Sequence, residues 1–225
     1  MTHPPNTTSF PHQGLVGFAG IESSALNSTS WFQSLCSQGS LDCCRFGLAF
    51  ETDDTGVQYF GKVEHDRFQG PLSVAPLYGY GRPQGGLLWY LFGDIAANGK
   101  VIERDAAIVT DSGTTVIFGP LASVQTLFDA AGIQSVLRPN ATADSPTTLD
   151  GYFPCAHPPE LGFGFPSLTN ATTATGPISH SSTIFNILPS QLVENRTDGN
   201  CTASIHGTDE FGSGPGAIWI VGQGE

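Results

Sequence analysis

Basic residues are scarce in this sequence. Eight Lys and Arg residues stand against 20 Asp and Glu residues in 225, which gives a formal net charge of −12. Nucleic-acid binding requires clustered Lys and Arg to neutralise phosphates, so the composition argues against a nucleic-acid partner. The sequence also lacks any run approaching the ~20 apolar residues that a membrane-spanning helix needs. We therefore expect neither a nucleic-acid partner nor a membrane span.

Charged residues of both signs are few, and glycine and proline are many. Charged residues make up 12% of the chain, about half of the usual ~25%. The 28 Gly and 16 Pro residues are far above average usage. Frequent turns and few long amphipathic helices follow, so a mainly β fold is expected. The length allows one large domain or two small ones.

A secretory signal peptide is also missing from the start of the sequence. Residues 1–13 are polar and contain proline, without a basic start or an apolar core. Asn-x-Ser/Thr glycosylation motifs are nevertheless dense, which favours the secretory route and a secreted, extracellular location. We therefore expect that the first part of a longer protein is absent from this chain. The six motifs begin at Asn6, Asn27, Asn140, Asn170, Asn195 and Asn200.

Local sequence patterns predict several helices, strands and hairpins along the chain. A short apolar strand is predicted at residues 14–20, and a helix capped by Ser28 or Ser30 should follow and stop at Gly39. Hairpins are predicted at residues 46–61 and 89–102, and a helix should run from Pro120 to Gly132. Further short strands are predicted at residues 151–155, 161–165 and 184–187, and exposed insertions at residues 138–148 and 170–182.

The most informative stretch is Ala-Ala-Ile-Val-Thr-Asp-Ser-Gly-Thr-Thr-Val-Ile-Phe-Gly-Pro at residues 106–120. Two apolar strands flank a short loop that carries Asp111. Burying an ionised carboxylate is costly unless hydroxyls or backbone N–H groups bond it, and Ser112, Thr114 and Thr115 crowd this one acid. The alternative is an Asx-type turn in which Asp and Gly serve only the turn geometry. The apolar flanks favour a functional carboxylate.

This loop resembles the second catalytic loop of pepsin-like aspartic peptidases, in the form common in secreted fungal acid proteases. The resemblance implies that Asp111 is the catalytic aspartate of the C-terminal lobe. It implies that Ser112 joins the hydroxyl network between the two catalytic loops, and that Thr114 bonds the outer carboxylate oxygen. Gly113 and Thr115 would contact a peptide substrate. One departure is Thr110, because an aliphatic residue usually precedes the aspartate in that family.

The resemblance extends over residues 14–222. Gly14 to Gly20 is similar to the hydrophobic-hydrophobic-Gly element of the N-terminal lobe, and Trp-Ile-Val-Gly at residues 219–222 to its C-terminal counterpart, with Gln223 where an Asp is usual. We therefore expect an incomplete pepsin-like lobe, a β-barrel-like unit with short helices. Residues 1–44 would be a remnant of the N-terminal lobe with its connecting helix, and residues 45–225 the C-terminal lobe.

Five cysteines leave one unpaired in an oxidising compartment. Cys155 and Cys201 resemble the pair that ties the C-terminal lobe of the family. Cys36 is expected to close a short loop with Cys44 or with Cys43, between which the sequence does not choose. Zinc binding is disfavoured because the six His have no close Cys or His partner at ligand spacing. No metal and no cofactor are expected.

In the family two aspartates lie about 3 Å apart and share one proton. Residues 1–13 cannot supply the lobe that carries the first aspartate. Asp54-Thr55-Gly56 matches the catalytic triplet in letters, but its polar flanks predict a hairpin turn in water.

We expect an aspartic endopeptidase homologue that needs the missing N-terminal lobe to act on a peptide or protein substrate, and that is inactive alone. Pairing of two Asp111 loops in a homodimer is a less favoured route to activity. The alternative is a non-catalytic secreted glycoprotein or binding module on the same lobe.

Overall fold

The mainly β prediction is confirmed by the structure. A computed structural model describes residues 16–50, 55–70, 72, 74, 75, 77, 89–139, 146–166, 182–212 and 217–222. Within these residues two α-helices accompany twelve strands. The helices are α1 (Trp31–Ser37) and α2 (Leu121–Ala131). The strands are β1 (Phe46–Phe50), β2 (Gly56–Phe60), β3 (Tyr90–Ala97), β4 (Lys100–Thr110), β5 (Ile117–Pro120), β6 (Gln134–Arg138), β7 (Thr148–Pro154), β8 (Leu161–Pro166), β9 (Ser182–Asn186), β10 (Val193–Thr197), β11 (Asn200–Thr208) and β12 (Ile218–Val221).

Ten of these strands form one sheet. Its order is β6-β7-β11-β5-β12-β4-β3-β8-β9, and β10 pairs with β11 beside this path. The last strand in the chain, β12, lies between β4 and β5, parallel to the first and antiparallel to the second. Strands β1 and β2 pair in a separate two-stranded sheet. The centre of the large sheet therefore combines two consecutive strands, β4 and β5, with the last strand of the chain, which is distant from both in sequence.

The predicted hairpin at residues 89–102 is formed by β3 and β4. Its turn has positive φ at Asn98 (50°) and Gly99 (71°), as expected for an Asn-Gly turn between two strands. The pairing slips after Gly93, where Asp105 on β4 adopts a φ of 54°. The Nη1 of Arg104 and the N–H of Asp105 both lie 3.4 Å from the carboxylate of buried Asp94, which holds this bulge together.

Helix α2 covers one face of the sheet and follows directly from β5. Val124, Leu127 and Phe128 on this helix are at most 1% exposed, as helical spacing predicts for one apolar face. Gly132 ends the helix in the left-handed region, with a φ of 73°. Pro120 caps the helix instead of occupying its first turn, because its extended backbone still pairs in β5.

The N-terminal part packs through aromatic rings. Ser30 caps α1 in a reciprocal capping box with Gln33. The prediction of a strand at residues 14–20 is wrong for residues 16–20, which form no ladder, and residues 14 and 15 lie outside the described part. Instead, Phe18 stacks on Phe46 with ring centroids 4.9 Å apart. Contacts between aromatic rings, and no strand pairing, hold this segment in place.

Two disulfides close loops in the chain. Cys36 bonds to Cys44 and leaves Cys43 with an exposed free thiol, which decides between the two alternatives. Cys155 bonds to Cys201 and joins the end of β7 to the start of β11. In the part of the chain that the structure describes, no helix is long and apolar enough to cross a membrane.

Three strands were not predicted: β6, β10 and β11. Strand β11 lies inside the sheet, and Ile205 is its only large aliphatic buried residue, the other buried ones being small or polar, so no apolar alternation marks it. Several predictions fall outside the described residues. These are the turn at Asp54, most of the two insertions, Gln223, and the glycosylation motifs at Asn6, Asn140 and Asn170. The side chains of Asn27, Asn195 and Asn200 are exposed.

Candidate active site

Asp111 lies in the short loop between β4 and β5, at the point where β12 passes between them. Buried Ile108 and Val109 lead into the loop, and buried Ile117 follows it, so the apolar flanks anchor both ends in the core. The side chain of Asp111 itself is half-buried. The sequence pattern thus delivers one acid from the interior of the sheet to its edge.

Backbone hydrogen bonds fix the loop against the last strand. The N–H of Asp111 donates to the carbonyl of Val221 over 2.9 Å, and the N–H of Thr114 donates to the carbonyl of Asp111 over 3.1 Å. Gly222, the next residue, lies very close to the backbone of the loop. A Cβ on this residue would lie 2.3 Å from the carbonyl oxygens of Thr114 and Val116. Only glycine permits this approach of strand to loop.

Each oxygen of the Asp111 carboxylate accepts one hydrogen bond from the loop. The N–H of Gly113 donates to Oδ1 over 2.9 Å, and the hydroxyl of Thr114 donates to Oδ2 over 2.7 Å. Among the described residues these are the only hydrogen-bond partners of the carboxylate. A carboxylate oxygen can accept further bonds. This acid is oriented by its own loop and can still bind a water or exchange a proton.

The other predicted site residues lie toward solvent. Ser112, Gly113 and Thr115 are exposed, whereas Thr114 is half-buried beneath the carboxylate. Exposed loop positions can contact a ligand that approaches the acid. The structure therefore places Asp111 and Thr114 in direct contact, and it places Ser112 and Thr115 on the surface of the same loop.

Thr110 departs from the family pattern without disturbing the loop. Its side chain is exposed, so an aliphatic group at this position is not required for core packing. Its N–H donates to the carbonyl of Trp89 over 3.0 Å, and its hydroxyl lies 3.4 Å from the same oxygen. Sequence reasoning missed Trp89 because a backbone carbonyl carries no signal in the sequence.

The chain that carries this loop matches a known protein family over nearly its whole length. The model of the family described as eukaryotic aspartyl protease matches residues 2–224. This chain belongs to the eukaryotic aspartyl protease family.

Two relatives of this aspartyl protease homologue are fungal proteins. It is 27% identical over 215 residues to "Secreted aspartyl protease 1" of Malassezia globosa, a match that covers 94% of this chain and 45% of that protein. It is 26% identical over 172 residues to "Aspartic protease" of Phaffia rhodozyma, covering 74% of this chain and 40% of that protein. The chain thus spans less than half the length of these two relatives.

A second polar cluster in this aspartyl protease homologue was not predicted. It lines a cavity of about 620 Å³ beside β6, β7, β10 and β11. His206 lies 3.1 Å from both Asp150 and Glu194, one carboxylate at each ring nitrogen. Hydrogen bonds to Asp150 and then to Tyr152 raise the pKa of Arg138. These residues are far apart in sequence, so no local motif could reveal the cluster.

Proposed function

We propose that Asp111 is one of the two catalytic aspartates of an aspartic endopeptidase. The observation that carries this proposal is the carboxylate oriented by Gly113 and Thr114 on a loop fixed to β12. Two such acids close together cannot both ionise, so the pair shares one proton. The ionised member takes a proton from a water, and the protonated member polarises the scissile carbonyl of a peptide.

The other loop residues support this acid in distinct ways. Thr114 holds one oxygen in place and stabilises its charge through a hydroxyl donor. Exposed Ser112 is suited to bond the catalytic loop of the other lobe, and exposed Gly113 and Thr115 are suited to contact the peptide substrate. These roles follow from their positions around the carboxylate and require no cofactor.

The other aspartate of the pair would come from an N-terminal lobe that this chain does not carry. The domain division that we propose is a remnant of that lobe and its connecting helix at residues 1–44, followed by the C-terminal lobe at residues 45–225. Both relatives are more than twice as long as the segments that match. Without the second acid, one carboxylate cannot both activate water and polarise the carbonyl. The 225-residue chain alone is therefore inactive.

A complementation experiment tests this proposal. The N-terminal half of the Malassezia globosa relative would be fused ahead of the chain, and cleavage of an unstructured protein would be measured at acidic pH with and without pepstatin. We expect cleavage by the fusion, none by the chain alone, and none by the fusion with Asp111→Asn. Asp129→Asn is the matched control, because Asp129 is exposed on α2 and bonds only to Gln125 among the side chains described.

Three outcomes would contradict the proposal. Pepstatin-sensitive cleavage by the chain alone would show that two copies complete the site. Equal activity in the Asp111→Asn and Asp129→Asn fusions would remove Asp111 from the chemistry. A folded fusion without activity would favour the alternative of a non-catalytic binding module on this lobe.

Secretion is part of the same proposal. One relative is named a secreted protease, two disulfides are formed, and the sequons at Asn27, Asn195 and Asn200 are exposed. Expression through a eukaryotic secretory pathway should add glycans that peptide-N-glycosidase removes. Replacing these three Asn residues by Gln, singly, would identify the occupied positions by mass. A chain without glycans would contradict this part of the proposal.

A further inference from the structure

The cluster around His206 joins three strands through one imidazole ring. His206 on β11 lies directly opposite Asp150 on β7 in the ladder, and its Nδ1 is 3.1 Å from an oxygen of that carboxylate. Its Nε2 is 3.1 Å from an oxygen of Glu194 on β10. The His206 side chain is 13% exposed, so the imidazole itself is largely shielded from bulk water.

A β-bulge brings Glu194 to this ring. Val193 pairs with Ala203 and Asn195 pairs with Thr202, so Glu194 is the extra residue on β10. A bulge re-aims the side chain of the extra residue. Glu194 is thereby placed against the imidazole, whereas the outer edge of β10 has no neighbouring strand in the described sheet.

The number of protons on the imidazole decides whether both of its contacts can be hydrogen bonds. An ionised carboxylate only accepts hydrogen bonds, and a neutral imidazole has a single N–H to donate. Both contacts of His206 are therefore satisfied only when the ring carries two protons. After loss of one proton, one carboxylate faces a nitrogen lone pair.

The contact that breaks is the one to Glu194. Asp150 is 14% exposed and also bonds to Arg138, so it is held in place and keeps the remaining N–H of the ring. Glu194 is 39% exposed and can turn toward water. The charged or titratable groups that face the ring are Arg138 on β6, Asp150 and Tyr152 on β7, and Glu194 on β10. Strand β5 contributes only the uncharged ring of Phe118, with centroids 5.9 Å apart.

We propose that His206 and Glu194 form a pH-sensitive clasp on strand β10. The doubly protonated ring fastens β10 to the sheet in acid. Loss of the second proton at higher pH leaves Glu194 facing a nitrogen lone pair and releases it. Release opens the cavity beside Asn195 and Thr197 and loosens the edge of the sheet. The clasp does not depend on Asp111 or on catalysis.

Amide hydrogen exchange on the full 225-residue chain tests the clasp. Protection factors, corrected for intrinsic exchange rates, would be measured at pH 5 and pH 7.5. Partly exposed ion pairs have modest strength, so we expect protection of β10 and of Cys201 to fall about two- to fivefold at the higher pH. Protection in β3 and β8 should change less than in β10.

Glu194→Gln is the decisive variant because an amide can donate to a lone pair or accept from an N–H. It should keep β10 equally protected at both pH values. Glu160→Gln is the matched control: Glu160 accepts a hydrogen bond from Asn186 near another edge and does not line the cavity. It should retain the pH dependence of the wild type.

The clasp would be refuted by equal protection of β10 at both pH values in the wild type. Persistence of the pH dependence in Glu194→Gln would also refute it. A uniform loss of protection across the whole sheet would assign the effect to global stability and would equally overturn the proposal.

Discussion

Replacing Gly222 by Ala should destabilise the protein by wedging β12 away from the aspartate loop. The added Cβ would meet the carbonyl oxygens of Thr114 and Val116 at 2.3 Å. Both obstacles are backbone atoms of a loop whose ends are anchored in the core, so neither can turn aside. Strand and loop must separate, and the hydrogen bond from Asp111 to Val221 lengthens with them.

The magnitude follows from the overlap. Overpacking in a core typically costs 1–3 kcal/mol, and we expect the upper end, about 3 kcal/mol, because no side chain can yield. With a urea slope of about 3 kcal/mol per M for a chain of this size, the unfolding midpoint should fall by about 1 M. Urea titration followed by tryptophan fluorescence measures this shift directly.

Gly17→Ala provides the matched control. No atom lies within 4 Å of a Cβ at Gly17, and its φ requires no left-handed backbone, so the free energy of unfolding of this variant should stay within about 0.5 kcal/mol of the wild type. A Gly222→Ala protein as stable as the Gly17→Ala protein would refute the argument that the close contact between residue 222 and the aspartate loop requires glycine.

Three further outcomes follow from the same structure. Breaking the Cys155–Cys201 bridge by Ser replacement should cost about 4 kcal/mol, because the bridge spans 46 positions, and the urea midpoint checks this. Phe32→Ala should cost about 3 kcal/mol because Phe32 is 6% exposed, whereas Trp31→Ala should cost less at 52% exposed, and thermal unfolding compares the two. Thr114→Val should lower kcat of the active fusion about tenfold or more by removing a hydroxyl donor to a charged carboxylate, as steady-state kinetics would show. An unchanged kcat would argue against this role of the hydroxyl.

Elements with local signals were predictable from the sequence. The Asn98-Gly99 turn fixes its own hairpin, Ser30 caps its own helix, and Gly132 ends α2, each through backbone geometry within a few residues. The loop at Asp111 was equally visible, because its apolar flanks and hydroxyls are contiguous. These features depend on short-range chemistry that sequence patterns record.

Features set by distant contacts could not be predicted. Strand β11 lacks apolar alternation because its neighbours, and not its own pattern, bury it. Residues 16–20 have strand-like composition but pack as a loop against aromatic rings. The contacts of His206 join strands β7, β10 and β11 through two bulges. Such arrangements depend on register and bulge positions, which only the assembled sheet determines.

The position of β12 also bears on how the protein emerges from the ribosome. Synthesis proceeds from the N-terminus, so β4 and β5 are made about a hundred residues before the strand that separates them. Until that strand arrives, the two flanking strands lack the neighbour that joins them in the finished sheet. Unpaired strand edges of this kind invite association with other chains. A nascent chain that stops before Ile218 should thus depend on chaperone protection. A chain extended beyond Gly222 can pair β12 with both β4 and β5 and so complete the centre of the sheet.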